Sequence, residues 1–370
     1  MIQIEKVELR RVRLPLVHRF QTSSHAKREL EHILVTLTGA DGTAGWGEIA
    51  SPSGPYYSAE TVDSCWAVAR AFLAPLVLAA RWEHPAELAA AMGRVRGNHF
   101  ARAGFDMAGW ALWSRAQGVP LSKALGGERA KVEAGVSLGI EPTVGELLTQ
   151  VEARVAEGYR RVKLKIAPGW DVTPVREVRS TFPDVAVHVD ANGAYPSSAR
   201  AIFEELDDLG LLMIEQPFAP RALVEHAELQ AVLRTPVCLD ESVEEVDDLI
   251  TALRLGAGRI LNIKVSRMGG LTPAVRAHDL AAAHDMPVWC GGMHEFGIGR
   301  AANVALSSLP GFTFPSDVSG SGKYYARDVT TEPVVCDAGF VEVPSVPGLG
   351  WEADLDFLES RTTGRETITP

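Results

Sequence analysis

Cysteine is scarce: the 370 residues hold four, Cys65, Cys238, Cys290 and Cys336, and no CxxC pair. That spacing argues against a disulfide framework and a thiolate zinc site. The cysteines read as small buried hydrophobes in a reducing cytosol. No uninterrupted apolar run reaches about 18 residues, so no membrane span is expected. The opening MIQIEKVELRRVRLPL alternates apolar and polar residues and has no signal-peptide core, which makes a cytoplasmic location the expectation. Basic residues are outnumbered, 36 Lys+Arg against 47 Asp+Glu, for a net charge of −11. So acidic a chain lacks the broad basic face that nucleic acid or an anionic membrane needs.

What is present is regular texture. Residues 2–14 and 31–38 alternate apolar and polar, and Asp41-Gly42 turns into 43–49, which predicts a three-stranded antiparallel meander. Residues 59–80, 85–96 and 99–118 have helical spacing and are rich in alanine. Residues 1–125 therefore predict an α+β capping domain. Two segments in it, 16–29 and 51–58, lack periodicity and read as mobile loops over a site. Phe20 and Tyr56 are their candidate substrate contacts.

From about residue 133 strand and helix patterns alternate. Strands are expected at 134–139, 161–166, 186–190, 212–215, 236–239, 259–264, 287–290 and 312–314, with amphipathic helices between them. This predicts an α/β fold: a modified (β/α)8-type barrel over 126–320, its last unit incomplete. Residues 321–370, strand-like at 329–344, are expected to return to the capping domain.

Five charged residues fall at nearly equal steps in this region: Lys165, Asp190, Glu215, Asp240 and Lys264. Each ends or follows a short apolar run. One strand–loop–helix unit takes about two dozen residues, so each step places an ionisable group at a strand's C-terminal end, where such barrels keep their chemistry. A single carboxylate there is usually a helix N-cap. Three on adjacent strands would repel unless a cation neutralises them. Oxygen ligands with room for water and substrate suit Mg²⁺, with Mn²⁺ second. Lys163 and Lys165 point the same way along their strand, into the barrel. Lys163 is either a salt-bridge partner or a contact to the substrate carboxylate. Lys165 and Lys264 lie on opposite sides of the metal position. A divalent cation on a carboxylate stabilises the enediolate left by loss of the α-proton, and a lysine with a lowered pKa serves as base. Arg267 and Lys163 are candidate sources of that lowering.

The motifs K-L-K at 163–165, D-A-N at 190–192, I-E-Q-P at 214–217, L-D-E-S at 239–242 and N-I-K at 262–264 resemble the enolase superfamily, in its muconate-lactonising branch. The resemblance spans the chain. It implies Mg²⁺ on Asp190, Glu215 and Asp240, Lys165 and Lys264 as the acid–base pair, and Lys163 on the substrate carboxylate. Asn192 and Glu241 fall inside the same motifs, as a substrate contact and a modulating residue. GGM at 291–293, GIGR at 297–300, KVSRMGG at 264–270 and Ser137 are similar to the o-succinylbenzoate synthase and N-acylamino acid racemase families. The implied activities are a dehydration in menaquinone synthesis, a racemisation, or both. A muconate-type cycloisomerase or another superfamily reaction on an acid-sugar or amino-acid derivative is the alternative. A non-enzymatic barrel is disfavoured because all five ladder positions are filled. Gly292 and Met293 either offer backbone N–H groups to an acyl oxygen or simply form a tight turn. His294, Phe296, Ala111 and the FQTSSHAK stretch depart from the family pattern. The ordinary reading of His294 and His25 is an exposed loop histidine; the alternative is a pocket lining. The resemblance also implies a small carboxylate substrate and an even-numbered homo-oligomer.

Overall fold

A computed structural model describes residues 1–22 and 26–370. His25 lies outside the described residues.

The N-terminal meander forms as expected, but its strands are longer. Ile2–Gln21, Ala26–Gly39 and Ala44–Ile49 pair antiparallel in sequence order. The C-terminal strand Thr362–Ile368 adds to the other side of the first strand, from Val7 opposite Ile368 to Val12 opposite Thr362. The tail therefore does return to the cap. Val7, Leu9, Ile33, Val35 and Leu37 bury one face of this sheet against helical residues such as Phe100, Phe105 and Leu73. Helix His99–Ala116 lies directly on strand Ala44–Ile49. Glycine allows that approach: a Cβ at Gly47 would stand 2.0 Å from the Gly104 carbonyl oxygen.

Two expectations need correction here. Most of 16–29 is not a loop, because the hairpin resumes with Phe20 opposite Lys27 and Gln21 opposite Ala26. The ladder breaks between Pro15 and Phe20, and that irregularity, beside a proline that cannot donate, hid the strand from a period-two pattern. Residues 51–58 have no regular structure, as expected. Second, the helical stretch Val62–Ala79, 18 residues of mean hydropathy 1.5, is long and apolar enough to cross a membrane by length and composition. Asp63, Ser64 and Arg70 interrupt its apolar run in the sequence. Its buried residues Val62, Cys65, Ala69, Leu73 and Val77 pack in the cap's core.

Seven parallel strands follow: Val136–Leu138, Arg161–Lys165, Ala186–Asp190, Ile214–Glu215, Val237–Leu239, Ile260–Ile263 and Val288–Cys290. Each pairs with the next in sequence. No regular strand forms at 312–314. Instead Phe312 bridges to Val288 and Ser316 to Ala134, the two edges of the sheet. The Gly135 N–H donates to Ser316 O at 2.7 Å and the Asp317 N–H to Cys290 O at 2.7 Å. Pro315 has no N–H to give, so this last stave is a set of single bonds rather than a ladder. Within 329–344 only Phe340–Glu342 is a strand, antiparallel to Lys131–Glu133.

Candidate active site

Strand register builds the site. Lys165 stands opposite Asp190, and Asp190 opposite Glu215, across successive parallel pairs. Asp240 follows the next strand, Val237–Leu239, and Lys264 follows Ile260–Ile263. All three carboxylates are fully buried, and one oxygen from each lies within 4.8 Å of the others. At an effective dielectric near 20, each such pair of unit charges repels by about 3 kcal/mol or more. The chain turns sharply just beyond two of them. Asn192 and Gln216 have φ of 46° and 41°, a left-handed backbone that non-glycine residues adopt rarely.

Cations interleave the anions. Lys163 Nζ lies 2.8 Å from Asp190 and 2.7 Å from Glu215, so the salt-bridge expectation for Lys163 is met. Lys165 Nζ donates to Asp190 at 2.5 Å and to Asn192 Oδ1 at 2.6 Å. On the far side, Lys264 Nζ donates to Asp240 at 2.7 Å and to the Tyr57 hydroxyl at 3.0 Å. Arg267 pairs with the other Asp240 oxygen and ties back to Asn262 O at 2.7 Å. Asn192 Nδ2 donates to Glu241 Oε1 at 2.8 Å.

Burial favours protonated carboxyls, but Lys163, Lys165 and Lys264 outweigh it at Asp190 and hold that group well below the carboxylate range. Glu215 goes the other way: burial and the neighbouring Asp190 push it up to about 8. Burial lowers Lys264, and Arg267 adds to that lowering as expected, yet Asp240 dominates and the net shift is strongly upward. The expectation that Arg267 leaves Lys264 with a lowered pKa is therefore corrected, because the Asp240 carboxylate sits against both cations.

Above the carboxylates is a cavity of about 170 Å³, lined by Lys163, Lys165, Lys264, Asn192, Glu241, Ser137, Gly292, Met293, Phe20 and Tyr56. It brings together every substrate-contact candidate named from the sequence. Two readings change. The Met293 N–H already donates to Glu295 Oε2 at 2.9 Å, which is the tight-turn alternative. His294 is not an exposed loop residue: its ring packs edge-on to Phe20 at 4.4 Å and stacks on Tyr324 at 4.7 Å. Burial and the surrounding Lys27, Lys323, Lys165 and Arg300 keep it neutral.

Several site residues were not read from the sequence. Tyr57, not Tyr56, reaches Lys264 and Asp240, while Tyr56 is 67% exposed. Asp317 accepts from Ser137 Oγ at 3.0 Å and pairs with Arg161 at 2.8 Å. Asn262 donates to Glu215 at 2.7 Å, and His188 stands 3.2 Å from the same carboxylate. Asn262 lies inside the N-I-K motif, so its signal was present. Asp317 lay in a polar stretch with no periodicity to orient it. Lys27 lies in the hairpin that was read as loop.

Three converging carboxylates, all oxygen donors at close quarters, fit one hard divalent cation. Comparison with known proteins gives the class. The "Mandelate racemase / muconate lactonizing enzyme, N-terminal domain" model matches residues 4–126 and the "Enolase C-terminal domain-like" model residues 146–357. The chain belongs to the enolase superfamily. It is 48% identical over 361 residues to the o-succinylbenzoate synthase of Geobacillus stearothermophilus, covering 98% of this chain and 96% of that one. It is 44% identical over 368 residues to the N-succinylamino acid racemase of an Amycolatopsis species, covering 99% and 100%. A crystal structure of an enolase-superfamily member from Listeria innocua superimposes with a TM-score of 0.96 at 35% identity, covering all of both chains.

Proposed function

We propose that this protein is a Mg²⁺-dependent enzyme that removes the proton α to a carboxylate. It acts as an o-succinylbenzoate synthase, an N-succinylamino acid racemase, or both. The observation that carries this reading is the arrangement of Lys165 and Lys264 on either side of three buried carboxylates, each amine hydrogen-bonded to an outer one.

Asp190, Glu215 and Asp240 would hold a divalent cation, which would supply positive charge to the substrate carboxylate as the α-proton leaves. The protein's residues do the rest. Lys163, paired with Asp190 and Glu215, donates to the same substrate carboxylate in this reading. Lys165 takes the α-proton on one face. In the dehydration it returns that proton to the departing hydroxyl, so water leaves and the ring becomes aromatic. In that reaction Lys264 acts as a cation beside the developing charge. In racemisation Lys264 delivers a proton to the opposite face while Lys165 keeps the one it took. Tyr57 and Asp240 hold the Lys264 amine for that step. Glu241 and Asn192 fix the Lys165 side. All four cysteines are free, and Cys65, Cys238 and Cys290 are buried, which suits the proposed reducing cytosol.

The test uses purified protein with Mg²⁺, offered the hydroxylated cyclohexadiene precursor of o-succinylbenzoate and a set of N-succinylamino acids. Absorbance follows the first and chiral chromatography the second. Turnover of at least one class, abolished by chelation, is expected. Turnover of neither would overturn the reading.

A further inference from the structure

The catalytic cavity does not end at His294. Phe20, Ser137 and Tyr324 line it and also line a larger cleft of about 690 Å³ beside it. The cleft runs between the first strand's end, helix Val144–Ala156 and residues 320–336. These three residues face both spaces and so form the neck between them.

Two cations flank that neck. Arg300 lies on the catalytic side, 2% exposed, with its guanidinium carbon 5.2 Å from the Tyr324 ring centre. Among the described residues it donates to the carbonyls of Ser319 and Glu295, and its Nε is buried without a partner there. Lys323 lies on the cleft side, 4.9 Å from the same ring centre. Its Nζ donates to Ser137 O at 2.5 Å and to the Tyr324 hydroxyl at 3.4 Å. The hydrogen bonds of both cations go to neutral oxygens, and among the described residues neither forms an ion pair with a carboxylate. Of the cleft's other arginines, Arg154 pairs with Glu157 and Arg327 with Asp354, while Arg19, at the first strand's end, donates to Gln21 Oε1. Two half-satisfied cations at one constriction mark a place for an anion. Burial pulls the Lys323 amine down to about 7, with Asp317 opposing, so a bound anion would restore its charge.

Resting on the proposed function, we propose that Lys323 anchors the distal carboxylate of the substrate's succinyl arm, which passes the Phe20–Ser137–Tyr324 neck with Arg300 beside it. Both candidate reactions use a substrate with that arm: two methylenes and a terminal carboxylate beyond its carbonyl. One anchor at the neck serves both. It reads the acyl group and leaves the amino-acid side chain or ring to the space near Phe20 and Met293.

The experiment compares N-succinyl, N-succinyl methyl ester and N-acetyl forms of one amino acid in wild type, Lys323→Met and Lys323→Arg. The loss of one charge-assisted hydrogen bond predicts a fall of about tenfold to a hundredfold in the succinyl-to-acetyl ratio of kcat/KM for Lys323→Met. The loss should be carried by KM, with Lys323→Arg recovering part of it. Should the variants fail to fold, the wild type alone decides: it must prefer the free succinyl acid to its methyl ester. An unchanged ratio in Lys323→Met, or a wild type indifferent to the ester, overturns the anchor. Wild type that turns over none of the three, nor the cyclohexadiene precursor, overturns the proposed function instead.

Discussion

Glu215 makes the metal site measurable without substrate. Burial and Asp190 push its carboxyl from 4.5 up to about 8. A folded-state pKa above the unfolded one means that the folded protein binds the proton more tightly. The resulting stability is fully present below pH 4.5 and is lost as pH rises through 8. A tenfold gain in proton affinity corresponds to about 1.4 kcal/mol, so the interval holds a few kcal/mol, shared with the titration of Asp190 and Lys163. In a domain of this size that is on the order of 5 °C in Tm. The Glu215 part is isolated as the difference between wild type and Glu215→Gln from pH 5 to 7, because Glu241 and Asp106, raised to about 7 and about 6, lose stability over the same range, the lowered His188, His226 and His294 gain it, and Lys323 and Lys27, pulled down to about 7 and about 8, add more above those values. Thermal unfolding by circular dichroism, with EDTA and with saturating Mg²⁺, is the assay. With EDTA the Tm of wild type relative to Glu215→Gln should fall from pH 5 to 7. With Mg²⁺ the wild-type Tm should be higher than with EDTA, and by more at pH 7 than at pH 5, because metal binding needs the ionised carboxylate. Glu215→Gln should also remove the Mg²⁺ increment. A difference between wild type and Glu215→Gln in EDTA that is flat or grows with pH would refute the reasoning.

Other expectations are simpler. Lys165→Ala and Lys264→Ala should each lower racemisation by at least about a hundredfold to ten-thousandfold, the range of a lost general acid or base; racemisation surviving either one contradicts the two-base scheme. Arg267→Ala removes a cation that lowers Lys264, so it should reduce racemisation more than dehydration, as steady-state kinetics on both substrates would show; equal losses break that link. Gly47→Ala drives a Cβ into the Gly104 carbonyl and should destabilise the cap by roughly 1–3 kcal/mol, read by chemical denaturation, without changing which substrate is preferred.

The ladder of charges was legible because barrel units repeat and their strands end at one rim. Lys165, Asp190, Glu215, Asp240 and Lys264 needed only spacing and period-two alternation to be placed together. Residues that support them from irregular segments were not legible. Tyr57 and Tyr56 are adjacent in a stretch without periodicity, and only the fold decides which ring turns inward. Asp317 reaches Ser137 and Arg161 from the stave that replaces the eighth strand, where isolated bridges carry no alternation. The hairpin at 16–29 was obscured by a break in the ladder beside Pro15. His294 has φ of 62°, and its burial comes from Phe20 and Tyr324, remote in sequence. Its surroundings could not be read from its neighbours along the chain.

The central claim is proton abstraction α to a carboxylate by this lysine pair. The most direct measurement is proton NMR of an N-succinylamino acid in D₂O with enzyme and Mg²⁺. The account predicts loss of the α-proton signal, with deuterium appearing in both enantiomers, and no loss in the presence of EDTA. An α-proton signal that persists for a panel of N-succinylamino acids, alongside no Mg²⁺-dependent dehydration of the cyclohexadiene, would contradict it.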